Sequence, residues 1–155
     1  GREQWLRLMS LLAVVTLRSY GGVIMSFPWR AGAWAWIAAL CVVGGKCIGG
    51  FASDRFGEVR SATVTLSAAA AALIFSAFPL PGALGLLLFN MSMPVTLYAA
   101  RDILREGRAT AFGLLTLGLF LGMLPAFSGA SGSGQDYAMI CLISIMLIRV
   151  GVGKR

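Results

Sequence analysis

The stretch GFASDRFGEVR, Gly50–Arg60, separates two apolar stretches long enough to cross a bilayer, and its reading decides the fold. Upstream, Gly32 to Gly49 carries one charge, Lys46; downstream, Ser61 to Phe78 carries none. Between them stand Asp54 and Arg55 side by side, then Gly57, Glu58 and Arg60. A glycine-framed island of charge between two such runs reads as a watery turn joining two membrane spans.

The whole chain has the same texture. Hydrophobic residues make up 58% of its 155 residues and charged residues only 12%, against roughly a quarter charged in soluble domains. Mean hydropathy is +0.83, and the apolar residues come in blocks. This is the composition of an integral membrane protein, with the lipid bilayer as its first partner. A pI of about 10.2 would point to nucleic acid in a soluble protein. Here the cations sit beside apolar runs, where they act as topology signals, and no nucleic-acid partner is expected.

Runs of about 20 apolar residues predict six transmembrane helices near 5–27, 32–52, 59–78, 82–100, 107–127 and 137–152. The fold class is therefore all-α, a single six-helix domain over 1–155. Turn chemistry marks the breaks at Phe27–Arg30, Phe78–Gly82 and Ser128–Gly134, and Asp136 is placed to start the last helix. Of the thirteen basic residues, Arg18 lies inside a span and Arg30 alone on one side. The other eleven, including Arg2, Arg7, Arg101, Arg105, Arg108, Arg149, Lys154 and Arg155, fall on the opposite side. The positive-inside rule then puts both termini in the cytoplasm of a cell (plasma or inner) membrane protein.

Chemistry-bearing residues are sparse. There is no histidine, so the commonest metal ligand and general base is missing. Cys41, Cys47 and Cys141 lie within apolar segments and read as small fillers. All six acids (Glu3, Asp54, Glu58, Asp102, Glu106 and Asp136) lie near span ends. This pattern argues against an enzyme, and no cofactor or metal is expected.

The spacing G-x-x-x-D-R-x-G-x-x-R at Gly50, Asp54, Arg55, Gly57 and Arg60 resembles the signature loop between the second and third helices of a six-helix unit in major facilitator superfamily transporters. ARDILREGRATAFGLL, from Ala100 and Arg101 to Leu115, is similar to that family's cytoplasmic turn into its eleventh helix. The chain starts with a few charged residues and ends shortly after its sixth span. The resemblance is therefore to the C-terminal half of a twelve-helix protein, a fragment built from two three-helix inverted repeats. More narrowly, Leu17-Arg18-Ser19-Tyr20 is similar to fosmidomycin-resistance-type drug exporters. One departure stands out: Glu58-Val59-Arg60 replaces the consecutive basic pair that follows the second glycine in the family.

The resemblance implies transmembrane transport of a small organic solute or drug by alternating access. Its partner would be an N-terminal six-helix half, in the same chain or a separate one. Any proton coupling would use a carboxylate of that half. The alternative is a non-transporting scaffold or regulatory subunit that keeps the fold. The resemblance also implies that Asp54 bridges to Arg101 and to a helix of the other half, closing a cytoplasmic gate. The plainer reading is a solvated turn whose charges set topology.

Three residues are candidates for a substrate cavity. Arg18 lies 13 residues into the first span, on the order of 20 Å of helix, where an arginine is costly and faces a bundle interior or watery cavity. It either binds an anionic or carbonyl-bearing substrate or pairs structurally with a carbonyl or an acid. Gly21, Gly22 and Met25 leave room beside it. Lys46, two turns inside its helix end, either snorkels outward or lines the cavity. Asn90, one turn before Pro94, which removes a backbone hydrogen bond and can kink the span, either contacts substrate or bonds a neighbouring helix. Gly50 is read as a close-contact position, and Gly113, Gly118 and Gly122 as packing glycines. Spans three and six lack internal charges until Arg149, which suits the peripheral, lipid-facing positions that the resemblance implies for them.

Overall fold

The computed structural model describes residues 2–104, 108–129 and 131–152. Arg105, Glu106, Lys154 and Arg155 of the charge pattern lie outside the described residues, as does the side chain of Arg108. Every regular element among the described residues is helical. The elements are α1 (Arg2–Ile24), α2 (Ala33–Phe56), α3 (Glu58–Ile74), α4 (Pro79–Asn90), α5 (Met93–Ile103), α6 (Arg108–Met123) with a 3-10 turn over Leu124–Ser128, and α7 (Gly134–Val152). Because α4 and α5 form one rod broken at Met91-Ser92, the described chain makes six rods. Five are long and apolar enough to cross a membrane, with Pro79–Ile103 counted as one. The sixth, α3, has 17 residues, about 26 Å of helix, and is apolar too. The chain is thus a multi-pass helical membrane protein by length and composition.

Most rods begin or end three or four residues away from the spans read from the sequence, and two of the shifts have a local reason. The island Gly50–Arg60 is not an open turn: α2 continues through Phe56 and α3 begins at Glu58, leaving Gly57 alone between them. Gly57 has φ 85° and ψ 149°, a conformation essentially restricted to glycine, so one residue reverses the chain. At the next break, Pro79 and Pro81 belong to the first turn of α4 rather than to a loop. Proline there loses no intrahelical bond and its φ is preset, while Phe78 before it is extended, at φ −92° and ψ 141°.

The fourth rod breaks where Pro94 dictates. Its missing N–H removes the bond to the Asn90 carbonyl, and Asn90 ends α4. At the last helix, Asp136 performs the starting role read from the sequence. Its Oδ2 accepts from the Ser133 N–H at 2.8 Å and from the Ser133 hydroxyl at 2.7 Å, a capping arrangement at the helix entry.

In hydrocarbon, burial of apolar surface does not drive helices together, so association depends on close packing. The glycines supply it. A Cβ at Gly122 would strike the Thr16 carbonyl and Ser19, and one at Gly118 would meet Leu12 at 2.9 Å, so this Gly-x-x-x-Gly seats α6 on α1. Gly113 faces open space. A second Gly-x-x-x-Gly, Gly45 and Gly49, seats α2 on the carbonyls of Leu87 and Met91 at the break in the fourth rod. Gly50 meets nothing within 4 Å; one residue further round the helix, it has turned away from the contact that Gly49 makes.

Taken as two successive triplets, the rods exchange partners. The first rod of each triplet packs on the second and third rods of the other: α1 on α6 and α7, α4 on α2 and α3. The third rods, α3 and α7, pack on each other. These two are therefore less peripheral than the resemblance implied, with inner faces that bury Leu66, Leu73, Cys141 and Ile148. The barest rods are α2 and α6. In α2 only Ala38, Gly45 and Gly49 are buried, while Trp36 and Phe51 are more than three-quarters exposed.

At one end of the bundle, α1 starts beside the end of α7, with Gly151 against Ser10 and Leu11. At the other end, Tyr137 ties the rods together. Its hydroxyl lies 2.9 Å from the Ile24 carbonyl and 2.7 Å from the Gly132 carbonyl, and accepts from the Ser26 N–H. Phe27 stacks on Trp29, whose indole N–H donates to the Ser76 carbonyl at 2.9 Å.

Candidate functional site

The exchanged packing leaves a cavity of about 460 Å³ between α1, α2, the broken fourth rod and α6, and Arg18, Lys46 and Asn90 all line it. Residues separated by up to 72 positions in sequence thus meet around one space. Met25, Phe89, Phe112 and Leu115 supply apolar wall. Gly22 borders the cavity and has no heavy atom within reach of a Cβ, whereas Gly21 packs on Ile140 and Phe89.

Arg18 is only 8% exposed. Its guanidinium lies 5.3 Å from the centroid of the Phe89 ring, a cation–π distance. One Nη donates to the Phe89 carbonyl at a long 3.4 Å, and the buried Nε has no hydrogen-bond partner. That carbonyl is already engaged by the Ser92 hydroxyl at 2.9 Å. Of the two roles open to Arg18, structural pairing with a carbonyl is present but weak. A guanidinium carries five donors in a planar fork, so most of its capacity is uncommitted within a costly environment. Arg18 thus joins the cavity to the carbonyl just before the helix break.

Asn90 donates its Nδ2 to the Leu86 carbonyl at 2.8 Å, one turn back on its own helix. This leaves its amide oxygen and second N–H as its capacity toward the cavity, and the bond is not made to a neighbouring helix. Lys46 is exposed along its helix and still borders the space. Ser19 fixes the opposite wall by donating to the Leu119 carbonyl of α6 at 2.6 Å.

The charged motif forms a second feature. Gly50, Asp54, Gly57, Glu58 and Arg60 line an open cleft of about 620 Å³ with Pro94 and Tyr98 of the fourth rod. Arg55 and Arg101 do not line it. No ion pair within 4.0 Å joins Asp54 to Arg101, and both side chains are exposed. The structure therefore sets the motif beside the fourth rod, without the expected bridge from Asp54 to Arg101.

Sequence reasoning missed Phe89, Arg30 and Thr96 as cavity residues. Phe89 carries no sequence signal, because an aromatic in an apolar run usually packs against neighbouring helices or lipid. Arg30 was assigned to topology alone, yet it lies at the cavity edge in the loop after α1. Compared with known proteins, the chain matches no family, no curated sequence and no solved structure.

Proposed function

We propose that this chain is one six-helix half of a secondary transporter that moves a small organic solute by alternating access. The single observation that carries the reading is the cavity where Arg18, Lys46 and Asn90 converge beside a broken helix. Solute sites in such proteins lie near the membrane midplane at a repeat interface, formed by discontinuous helices. The partner exchange between the two triplets supports two related three-helix repeats, as the resemblance to the major facilitator superfamily implies.

The remaining features fit the same reading. The cavity wall is exposed at Lys46, Leu97 and Phe112, and its flanking rods α2 and α6 are the barest of the bundle. A second six-helix unit seated on those rods would close the cavity. Asp54, exposed and unbridged to Arg101, is then available to that unit in the closed cytoplasmic gate. The cation distribution orients the chain with the Gly57 connection in the cytoplasm of a plasma or inner membrane. Rocking of the two halves would open the cavity to each side in turn.

The test is uptake or counterflow in proteoliposomes holding the complete protein, with and without Arg18→Gln. Transport that falls at least tenfold in a folded Arg18→Gln protein supports the reading. Transport indifferent to Arg18, Lys46 and Asn90 substitutions refutes the cavity as the solute site, and a complete protein that moves no solute leaves a scaffold role.

A further inference from the structure

Resting on the transport reading, the same cavity also specifies a class of solute. Three cations border it, Arg18, Arg30 and Lys46, and no carboxylate stands among the described residues that line it. Their depths follow from helix rise. Arg30 is in the loop between α1 and α2; Arg18 is six residues inside the adjoining end of α1, about 9 Å in; Lys46 is thirteen residues into α2, about 20 Å in. Positive charge thus runs along the depth of the space instead of ringing one mouth. The acids Asp54 and Glu58 line the separate cleft at the other end.

The wall around these cations is apolar, and what polarity it has is largely committed. The Thr96 hydroxyl donates to the Met93 carbonyl at 2.9 Å and the Thr116 hydroxyl to the Phe112 carbonyl at 2.7 Å. With the Ser19 proton likewise given to the Leu119 carbonyl, the cations and the Asn90 amide are the main polar groups left for a solute. A small inorganic anion would not use the apolar lining at Phe89, Phe112 and Leu115. Against Arg18, by contrast, an oxyanion meets a buried guanidinium with one long hydrogen bond and an unpartnered Nε. A carboxylate makes shorter, charge-assisted bonds than a neutral carbonyl does, so it displaces Phe89 as the partner after a modest side-chain turn.

We propose that the cavity takes an amphipathic organic anion. Its single carboxylate or equivalent oxyanion sits at Arg18, with an aromatic or aliphatic body against Phe89, Phe112 and Leu115. Lys46 and Arg30 supply the positive field on either side in depth. A volume of about 460 Å³ suits a drug-sized molecule.

Equilibrium binding to the complete protein in lipid nanodiscs tests this, with cinnamate as the anionic probe, cinnamamide as its neutral counterpart, cinnamylammonium as the cation and acetate as an anion without a body. The expected order places cinnamate roughly tenfold or more ahead of cinnamamide, a charge-assisted increment, with acetate and the cation weaker still. Arg18→Gln removes the preference for cinnamate. Lys46→Gln, at an exposed position that leaves folding intact, weakens cinnamate several-fold and flattens its salt dependence. Cinnamamide or the cation binding as well as cinnamate, or cinnamate binding unchanged in both variants, overturns the proposal. If a neutral or cationic solute is transported with Arg18 dependence, the transport reading survives and the anion assignment falls. If cinnamate binds as expected and no solute is ever moved, the anion site stands without transport.

Discussion

Gly49 and Gly50 are neighbours in sequence, and the structure assigns them opposite tolerance of a side chain. A Cβ at Gly49 would lie 2.6 Å from the Met91 Cα and 2.7 Å from its carbonyl carbon, with the carbonyl oxygen closer still. Those are backbone atoms, so no rotamer change relieves the clash. Restoring an ordinary carbon–carbon separation of about 3.5 Å requires α2 and the fourth rod to part by about 1 Å. Overpacking of this kind costs about 1–3 kcal/mol, a factor of roughly 5 to 150 in the folding equilibrium. Gly50→Ala meets nothing within 4 Å and replaces glycine with a better helix former inside α2, so it should be neutral or slightly stabilising. The assay is reversible unfolding of the purified protein in mixed micelles, followed by helical signal against denaturing detergent fraction. Gly49→Ala should unfold earlier and Gly50→Ala at or above the parent midpoint. Lys46 sits one turn before Gly49, so a displaced α2 also widens the cavity, and solute affinity should fall in Gly49→Ala alone. Equal midpoints for the two variants would refute the packing argument.

Two further perturbations have equally direct readouts. Gly57→Ala forces a side chain into a region reserved for glycine, and should cost about 1–3 kcal/mol, seen as a lower thermal midpoint even though nothing nearby obstructs a Cβ. Tyr137→Phe removes a buried hydroxyl that serves the Ile24 and Gly132 carbonyls and the Ser26 N–H; a loss of about 1–3 kcal/mol should appear as a lower midpoint with faster hydrogen exchange at Ser26.

Much of the architecture was legible in the sequence because bilayer thickness imposes a length on every span. The six apolar runs became six rods, Pro94 broke the fourth, and Asp136 capped the last. Gly118 and Gly122 packed as their spacing implied, since residues four apart share a helix face. Legibility failed where a neighbouring element decided the outcome. Gly49 and Gly50 are chemically identical, and only the position of Met91 separates them. The α2–α3 connection shrank to Gly57 because helical hydrogen bonding runs through a charged segment as readily as an apolar one. For the site, Arg18 was conspicuous as a cation inside a span, whereas Phe89 was silent, being one more aromatic in hydrocarbon.

By itself the sequence determined that this is a helical membrane protein, how many times its rods repeat, and where its charges lie along them. These follow from local length, hydropathy and turn chemistry, which act within one segment. Only the tertiary structure decided that Arg18, Lys46 and Asn90 share one cavity while Asp54 and Arg101 stay apart. The reason is physical: in hydrocarbon every apolar helix face is nearly equivalent in hydropathy, so the choice of neighbours rests on backbone approach at glycines such as Gly45, Gly49 and Gly122. That choice is a property of facing surfaces, and it requires both of them.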